Sequence, residues 1–325
     1  MKSSDDLLRS KGHWDHIALA LGMLVGLAAW WFYRQGFILY YGDAQAHLNI
    51  SRSIIDSRTP GYDQLGTVWL PVLHVICLPL VRYDWLWSTG LAATIPVGIC
   101  FVIAGMFLYL AARDAYGNSV AAAVVVACLA LNPNILYLAV IPMTEMVFIA
   151  GLAVLLFAAC RFQITYNRGL ILLGVFASWW MSLTRYDGWF LIPFASGWFA
   201  WSARDKRLLT FAVFAALASL APLYWAAHNW WETGNALDFF NGPYSPKAIQ
   251  GGQPYPGYHN WKLAFTYYGK ASQLCAGWPL LLLGLVGIVC ALRTKALTPV
   301  AFLALTPAFY VWSMHSSGGS PIHVP

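Results

Sequence analysis

Charge is what this sequence has least of. Only 10% of its residues are Asp, Glu, Lys or Arg, where an ordinary soluble domain carries roughly a quarter. Glutamate occurs just twice, as Glu145 and Glu232. Six cysteines are scattered, mostly within apolar runs, with no CxxC and no His-paired spacing. That excludes a disulfide framework or a zinc ribbon as the organising device and leaves the thiols as small core residues. No internal repeat and no stretch resembling a soluble domain is present. With so little to offer water, the chain reads as an all-α polytopic membrane protein.

What is abundant supports this reading. Hydrophobic residues make up 59% of the chain and the mean hydropathy is +0.59. Seventeen Trp and seventeen Tyr supply aromatic belts for both membrane faces. The net charge of +6 does not point to nucleic acid, because the cations sit in connections between apolar runs. Apolar stretches at Ile17–Tyr33, Ser88–Ala112, Ser119–Leu138, Met143–Cys160, Gly169–Leu183, Gly188–Ala203, Leu208–Ala227, Leu274–Leu292 and Ala296–Trp312 give about nine spans in one transmembrane domain covering 1–325. In the nearly unbroken apolar run from Val120 through Phe157, Asn132-Pro-Asn134 and Pro142 mark the point where the chain folds back. With the N-terminus inside, eleven of the nineteen Lys and Arg residues crowd into short connections, and the other eight spread over long outer segments. The positive-inside rule therefore sets the N-terminus in the cytoplasm and residues 34–87 and 228–273 on the extracytoplasmic face of the plasma (inner) membrane. The segment 228–273, rich in Gly, Pro, Tyr and Asn, is expected to act as a lid or binding loop. The chain closes on Ser316-Ser-Gly-Gly-Ser-Pro without a basic tail, so an incomplete outer loop is expected there.

In a chain so poor in charge, the positions of the acids matter. Tyr40 to Asp56 reads YYGDAQAHLNISRSIID, with Gly42 as a turn and Asp43 as the N-cap of a helix reaching about Ser57. His47 lies one turn on, on the same face. The following segment, Val68 to Val81, is apolar but short and Pro-broken, so it is expected to lie flat in the interface and to carry His74. Glu145 stands at the outer start of the fourth span, in Ile141-Pro-Met-Thr-Glu, where Thr144 can cap the helix. Arg185, Tyr186 and Asp187 stand between the fifth and sixth spans on the same face, where Arg185 and Asp187 can also neutralise one another. Ionisable groups at such depth are costly and suggest function by default. Two acids and a guanidinium at three sequence-distant outer sites suggest one pocket, with an acid as base or metal ligand and arginine for phosphate. Without a metal, a buried Asp43–Glu145 pair would raise one carboxyl's pKa; with Mg²⁺ or Mn²⁺ bound, both stay ionised.

These positions carry a resemblance. Tyr41-Gly-Asp43 is similar to the first-loop catalytic acid motif of the GT-C glycosyltransferases. Val68-Trp-Leu-Pro-Val-Leu-His74 is similar to their interfacial helix, and Thr144-Glu145 to their second acid. Arg185-Tyr-Asp-Gly-Trp189 resembles a stretch of bacterial and archaeal proteins related to the protein O-mannosyltransferases and to the aminoarabinose transferases of lipid A, the family 39-like group. Gly-Asp-Ala replaces the paired Asp-Glu of a true protein O-mannosyltransferase, and there is neither a WWDYG-like signature nor a soluble C-terminal domain as in an oligosaccharyltransferase. The resemblance implies a GT-C-like bundle whose first outer loop carries membrane-parallel helices. It implies a polyprenyl-phosphate sugar donor and a lipid, glycan or protein acceptor. Asp43 would be the general base, Arg185 and Glu145 would hold the donor phosphate directly or through a metal, and His47, His74, Tyr186 and Asp187 would support them. A secondary transporter or a lipid flippase is the alternative. A transporter is expected to show paired halves and polar groups near the bilayer midplane.

Overall fold

The computed structural model describes residues 4–249 and 257–316, with side chains from residue 15 onward. The fold is helical throughout, and no strand occurs among the described residues. Helices divide into two compact units: residues 1–65 with 71–185, and residues 66–70 with 186–325. Parts of the expected outer loop (250–256) and the expected incomplete C-terminal loop (317–325) lie outside the described residues.

The first unit contains α1 (Ser4–Arg34), α2 (Gly42–Ser53), α3 (Val72–Val81), α4 (Asp84–Thr89), α5 (Leu91–Tyr116), α6 (Ser119–Ala130), α7 (Pro133–Leu138), α8 (Thr144–Thr165) and α9 (Gly169–Ser182). α5 and α8 pack against each other most extensively and form its centre, with α1, α3 and α6 on α5 and α9 on α8. Both are apolar all round, the pattern of a helix with no solvent-facing side. Their contact surfaces are lined with small residues such as Ala92, Ala104, Ala150, Ala153 and Ala158, all buried. Lipid tails are as apolar as leucine, so close backbone approach and van der Waals packing hold such helices together. At Gly151 of α8 a Cβ would lie 2.6 Å from Met181 Cγ and 2.9 Å from Trp180 Cδ1 of α9, so the closeness of this pair depends on glycine. Gly90 ends α4 and opens α5 with φ +85°, and a Cβ there would run into Ile38. Left-handed backbone without room for a side chain leaves glycine as the residue that fits.

The expected span Ser119–Leu138 is two helices. Asn132 interrupts it: its Oδ1 accepts from the Asn134 and Ile135 amides at 2.9 and 3.3 Å, and Pro133 sits at the first helical position of α7. The side chain thus offers the backbone a new helix start, and proline cannot continue the old one.

The second unit contains α10 (Asp187–Ser202), α11 (Arg207–Thr233), α12 (Asp238–Asn241), α13 (Pro246–Ile249), α14 (Trp261–Arg293) and α15 (Leu297–Ser316). α10 pairs with α11, α14 pairs with α15, and α15 reaches α10. Phe199 stacks on Phe214 at 4.9 Å between α10 and α11, both rings fully buried. Much of the expected loop 228–273 is helical, because α11 continues to Thr233 and α14 starts at Trp261. α14 is kinked at Gly277 (φ 73°, ψ 159°), two residues before Pro279. Pro279 blocks the helical hydrogen bond there, and glycine absorbs the break. Residues 66–70, which belong to the first expected outer segment in sequence, pack within this second unit.

Each of the nine expected stretches overlaps a helix, and six helices are long and apolar enough to cross a membrane: α1 from Asp15, α5, α8, α11, α14 and α15. α6 and α9 are shorter apolar helices, as is α3.

Candidate functional site

Local geometry corrects the reading of Asp43. Tyr41, with extended φ/ψ, is the N-cap of α2, the helix begins at Gly42, and Asp43 stands in its first turn, exposed. No side chain caps this helix, and Asp43 makes no hydrogen bond or ion pair among the described residues. An acid in the first turn still complements the helix dipole, but its carboxylate is open to whatever approaches. α2 ends at Ser53, not Ser57.

One turn further on, His47 is buried and faces His74 of α3, itself fully buried. His47 Nδ1 and His74 Nε2 are 2.9 Å apart. One ring must donate an N–H and the other must accept with a lone pair, so the pair is held only while at least one nitrogen stays unprotonated. Burial, then the His74 ring, then the Arg185 guanidinium push His47 down to about 3. His47 is therefore neutral at pH 7. The pair ties the helix bearing Asp43 to the short apolar helix beneath it. That short helix starts later than expected, at Val72, with Pro71 as its N-cap.

α3 is fastened in turn. The Val72 amide donates to the Leu183 carbonyl at 3.0 Å, just past the end of α9. Two residues on, Arg185 Nη1 donates to Glu145 Oε1 at 2.8 Å and to Thr144 Oγ1 at 3.0 Å. Met143, not Thr144, is the N-cap of α8; the threonine hydroxyl serves Arg185 instead. Trp180 Nε1 donates to the Val147 carbonyl at 2.8 Å and fixes α9 against the same end of α8. Glu145 Oε2 is buried and has no hydrogen-bond partner among the described residues. Thus the α2–α3 segment, the start of α8 and the end of α9 meet within the first unit, with Asp43 exposed at its edge.

Arg185 is ion-paired with Glu145 within the first unit, and Asp187 is bonded within the second. Asp187 Oδ2 accepts from the Tyr310 hydroxyl at 2.6 Å in the second unit. Tyr186 is also held there, its hydroxyl donating to the Val68 carbonyl at 2.7 Å and accepting from Trp225 Nε1 at 3.1 Å, its ring stacked on Phe239 at 4.8 Å. Burial pushes the Tyr186 phenol upward, so it acts as a hydrogen-bonding post and not as an acid. Among the described residues, no group of three or more His, Cys, Asp and Glu side chains is placed to hold a metal ion.

Arg52 is the residue that sequence reasoning passed over. Its guanidinium binds Asp56 Oδ2 at 2.9 Å through Nε and at 2.6 Å through Nη2, Asp84 at 2.7 Å and the Val81 carbonyl at 2.6 Å, and it lies over the Trp87 ring at 5.3 Å. It joins α2, α3 and α4 into one piece. The available signal is the four-residue Arg52–Asp56 spacing within a stretch expected to be helical to about Ser57, although the helix itself ends at Ser53. No family model, no curated protein and no solved structure matches this chain.

Proposed function

We propose that the chain is a membrane-embedded glycosyltransferase that moves a sugar from a polyprenyl-phosphate donor to an acceptor hydroxyl on the extracytoplasmic face, with inversion at the anomeric carbon. The observation that carries this reading is the meeting of three sequence-distant polar segments in the first unit: the α2–α3 segment that bears the exposed Asp43, the start of α8, and the end of α9 with the Arg185–Glu145 ion pair. Asp43 takes the proton of the acceptor hydroxyl. The acceptor oxygen bonds to the anomeric carbon as the bond from that carbon to the phosphate oxygen breaks, and the electron pair leaves with the polyprenyl phosphate. Arg185 stabilises the charge growing on that phosphate. Glu145 and Thr144 aim the guanidinium, and the His47–His74 pair sets the position of α2. Glu145 Oε1 is already ion-paired with Arg185, and no three-ligand cluster accompanies it among the described residues. The mechanism therefore carries no step through a metal. The acceptor can be a lipid, a glycan or a protein hydroxyl.

The test is sugar release from polyprenyl-phosphate-mannose and related donors by the purified protein, wild type against Asp43→Asn. General-base removal is expected to lower turnover by about 10²–10⁴-fold with donor binding retained. Equal rates, or no action on any lipid-linked sugar, overturn the reading and make transport the next hypothesis.

A further inference from the structure

A second polar feature of the first unit is unused by this mechanism. The ends of α2 and α3 enclose an open cleft of about 620 Å³ lined by Arg52, Ile55, Asp56, Leu78, Pro79 and Arg82. Its two arginines differ. Arg52 is saturated by Asp56, Asp84 and the Val81 carbonyl, so it serves as a wall. Arg82 is exposed, lines the cleft and makes no hydrogen bond or ion pair among the described residues. Arg52 is offset by Asp56 and Asp84, so Arg82 is the lining cation left to meet an anion, in a cluster that is neutral as a whole.

The floor is apolar, and it continues as a stripe. Val75, Pro79 and Arg82 follow one another at helical spacing along α3, with Leu78 beside them; Val75 and Pro79 are exposed. Tyr83 and Trp85, 58% and 61% exposed, flank the charged end. Aromatic rings beside a cation at the end of an apolar stripe are the arrangement of a membrane-water boundary. The segment lies between α1 and α5, both long and apolar enough to span, so it sits at one membrane face.

We propose that this cleft binds the phosphate of an anionic phospholipid through Arg82, with an acyl chain lying along the Val75–Leu78–Pro79 face of α3. A guanidinium matches phosphate oxygens bidentately, and the apolar stripe continues the contact where a free anion has none. This lipid would brace the segment that holds Asp43 without taking part in the chemistry, and the inference does not rest on the transferase reading.

The experiment uses the purified full chain in detergent, stripped of native lipid. Phosphatidylglycerol and phosphatidylcholine are offered at equal concentration, and retained lipid is counted by native mass spectrometry. Wild type is expected to prefer phosphatidylglycerol. Arg82→Gln is expected to lower that preference about fivefold, the share of one cation at an anionic surface, while Arg58→Gln, an exposed cation on the same outer segment, leaves it unchanged. Leu78→Gln is expected to reduce retention of both lipids by removing the floor. An Arg82→Gln protein that keeps the wild-type preference overturns the proposal. So does complete displacement of the lipid by millimolar inorganic phosphate, which would make the cleft a site for free anions.

Discussion

α8 and α14 are nearly equal in apolarity and opposite in surroundings. Their most apolar stretches have mean hydropathies of 2.1 and 2.3, yet 61% of the first is buried and 6% of the second. One difference is side-chain size. α8 carries Ala150, Gly151, Ala153, Ala158 and Ala159 on its packed faces, whereas α14 presents Leu282, Leu283, Leu285, Val286 and Val289 outward. Hydropathy decides whether a helix enters the membrane; small residues decide whether it meets another helix there. The polar groups follow the same division. In the first unit an acid stands exposed beside a network of fastened helices, and in the second unit the acids Asp187 and Asp238 are buried and bonded to hydroxyls.

The largest effect expected from this contrast separates the two kinds of acid. Asp43→Asn should lower sugar release by about 10²–10⁴-fold with little change in melting temperature. Asp238→Asn should do the reverse, weakening the bond from Thr67 (2.7 Å) and costing about 1–2 kcal/mol of stability while the folded protein keeps its turnover. Rates and thermal melts of both variants, measured in one detergent, would break the comparison if Asp238→Asn proved the slower enzyme. Next in size is overpacking. Gly151→Leu should cost about 1–3 kcal/mol through its clash with Met181 and Trp180. The matching change in α14, Gly284→Leu, meets nothing within 4 Å and should stay within about 0.5 kcal/mol. Equal melting shifts for the two would remove side-chain size as the explanation.

A smaller effect depends on pH. The folded His47 sits at about 3 against an ordinary 6.5, so between those values the unfolded chain binds a proton that the folded chain refuses. Stability from this group is full above pH 6.5 and falls as pH drops toward 3, where the loss levels off. His47→Gln should flatten that part of the melting-temperature profile by up to one proton's worth of slope, and an unchanged slope would place the refused proton elsewhere.

A helical, membrane-embedded fold is legible in the sequence because a bilayer demands long apolar runs, although six and not nine helices have the length and apolarity to cross, and Val120 to Phe157 shows how far that goes. Its proline and asparagines announce a break, but the capping geometry of Asn132 puts that break inside the expected span as well as after it. The acids of interest are also legible, since scarcity makes them conspicuous. Their partners are not. Nothing local says that His47 will meet His74, twenty-seven residues away, or that Arg185 will reach Glu145, forty residues back. Such pairings depend on which helix ends converge, and that is fixed by the packing of α5, α8 and α9. Asp43 was misread as a cap because a helix start tolerates Gly42 and a cap without a side-chain bond.

The pentapeptide Gly66–Leu70 also has a history in time. Its anchors are the His228 ring on the Gly66 carbonyl, Asp238 on Thr67 and the Tyr186 hydroxyl on the Val68 carbonyl, and they lie 162, 171 and 118 residues downstream. At the ribosome's ~5–20 residues per second, roughly six to thirty-five seconds separate the appearance of this stretch from that of its companions. For that interval water must serve the waiting carbonyls. A nascent chain stalled before Tyr186 would leave Thr67 open to protease or label, and synthesis past Asp238 would close it.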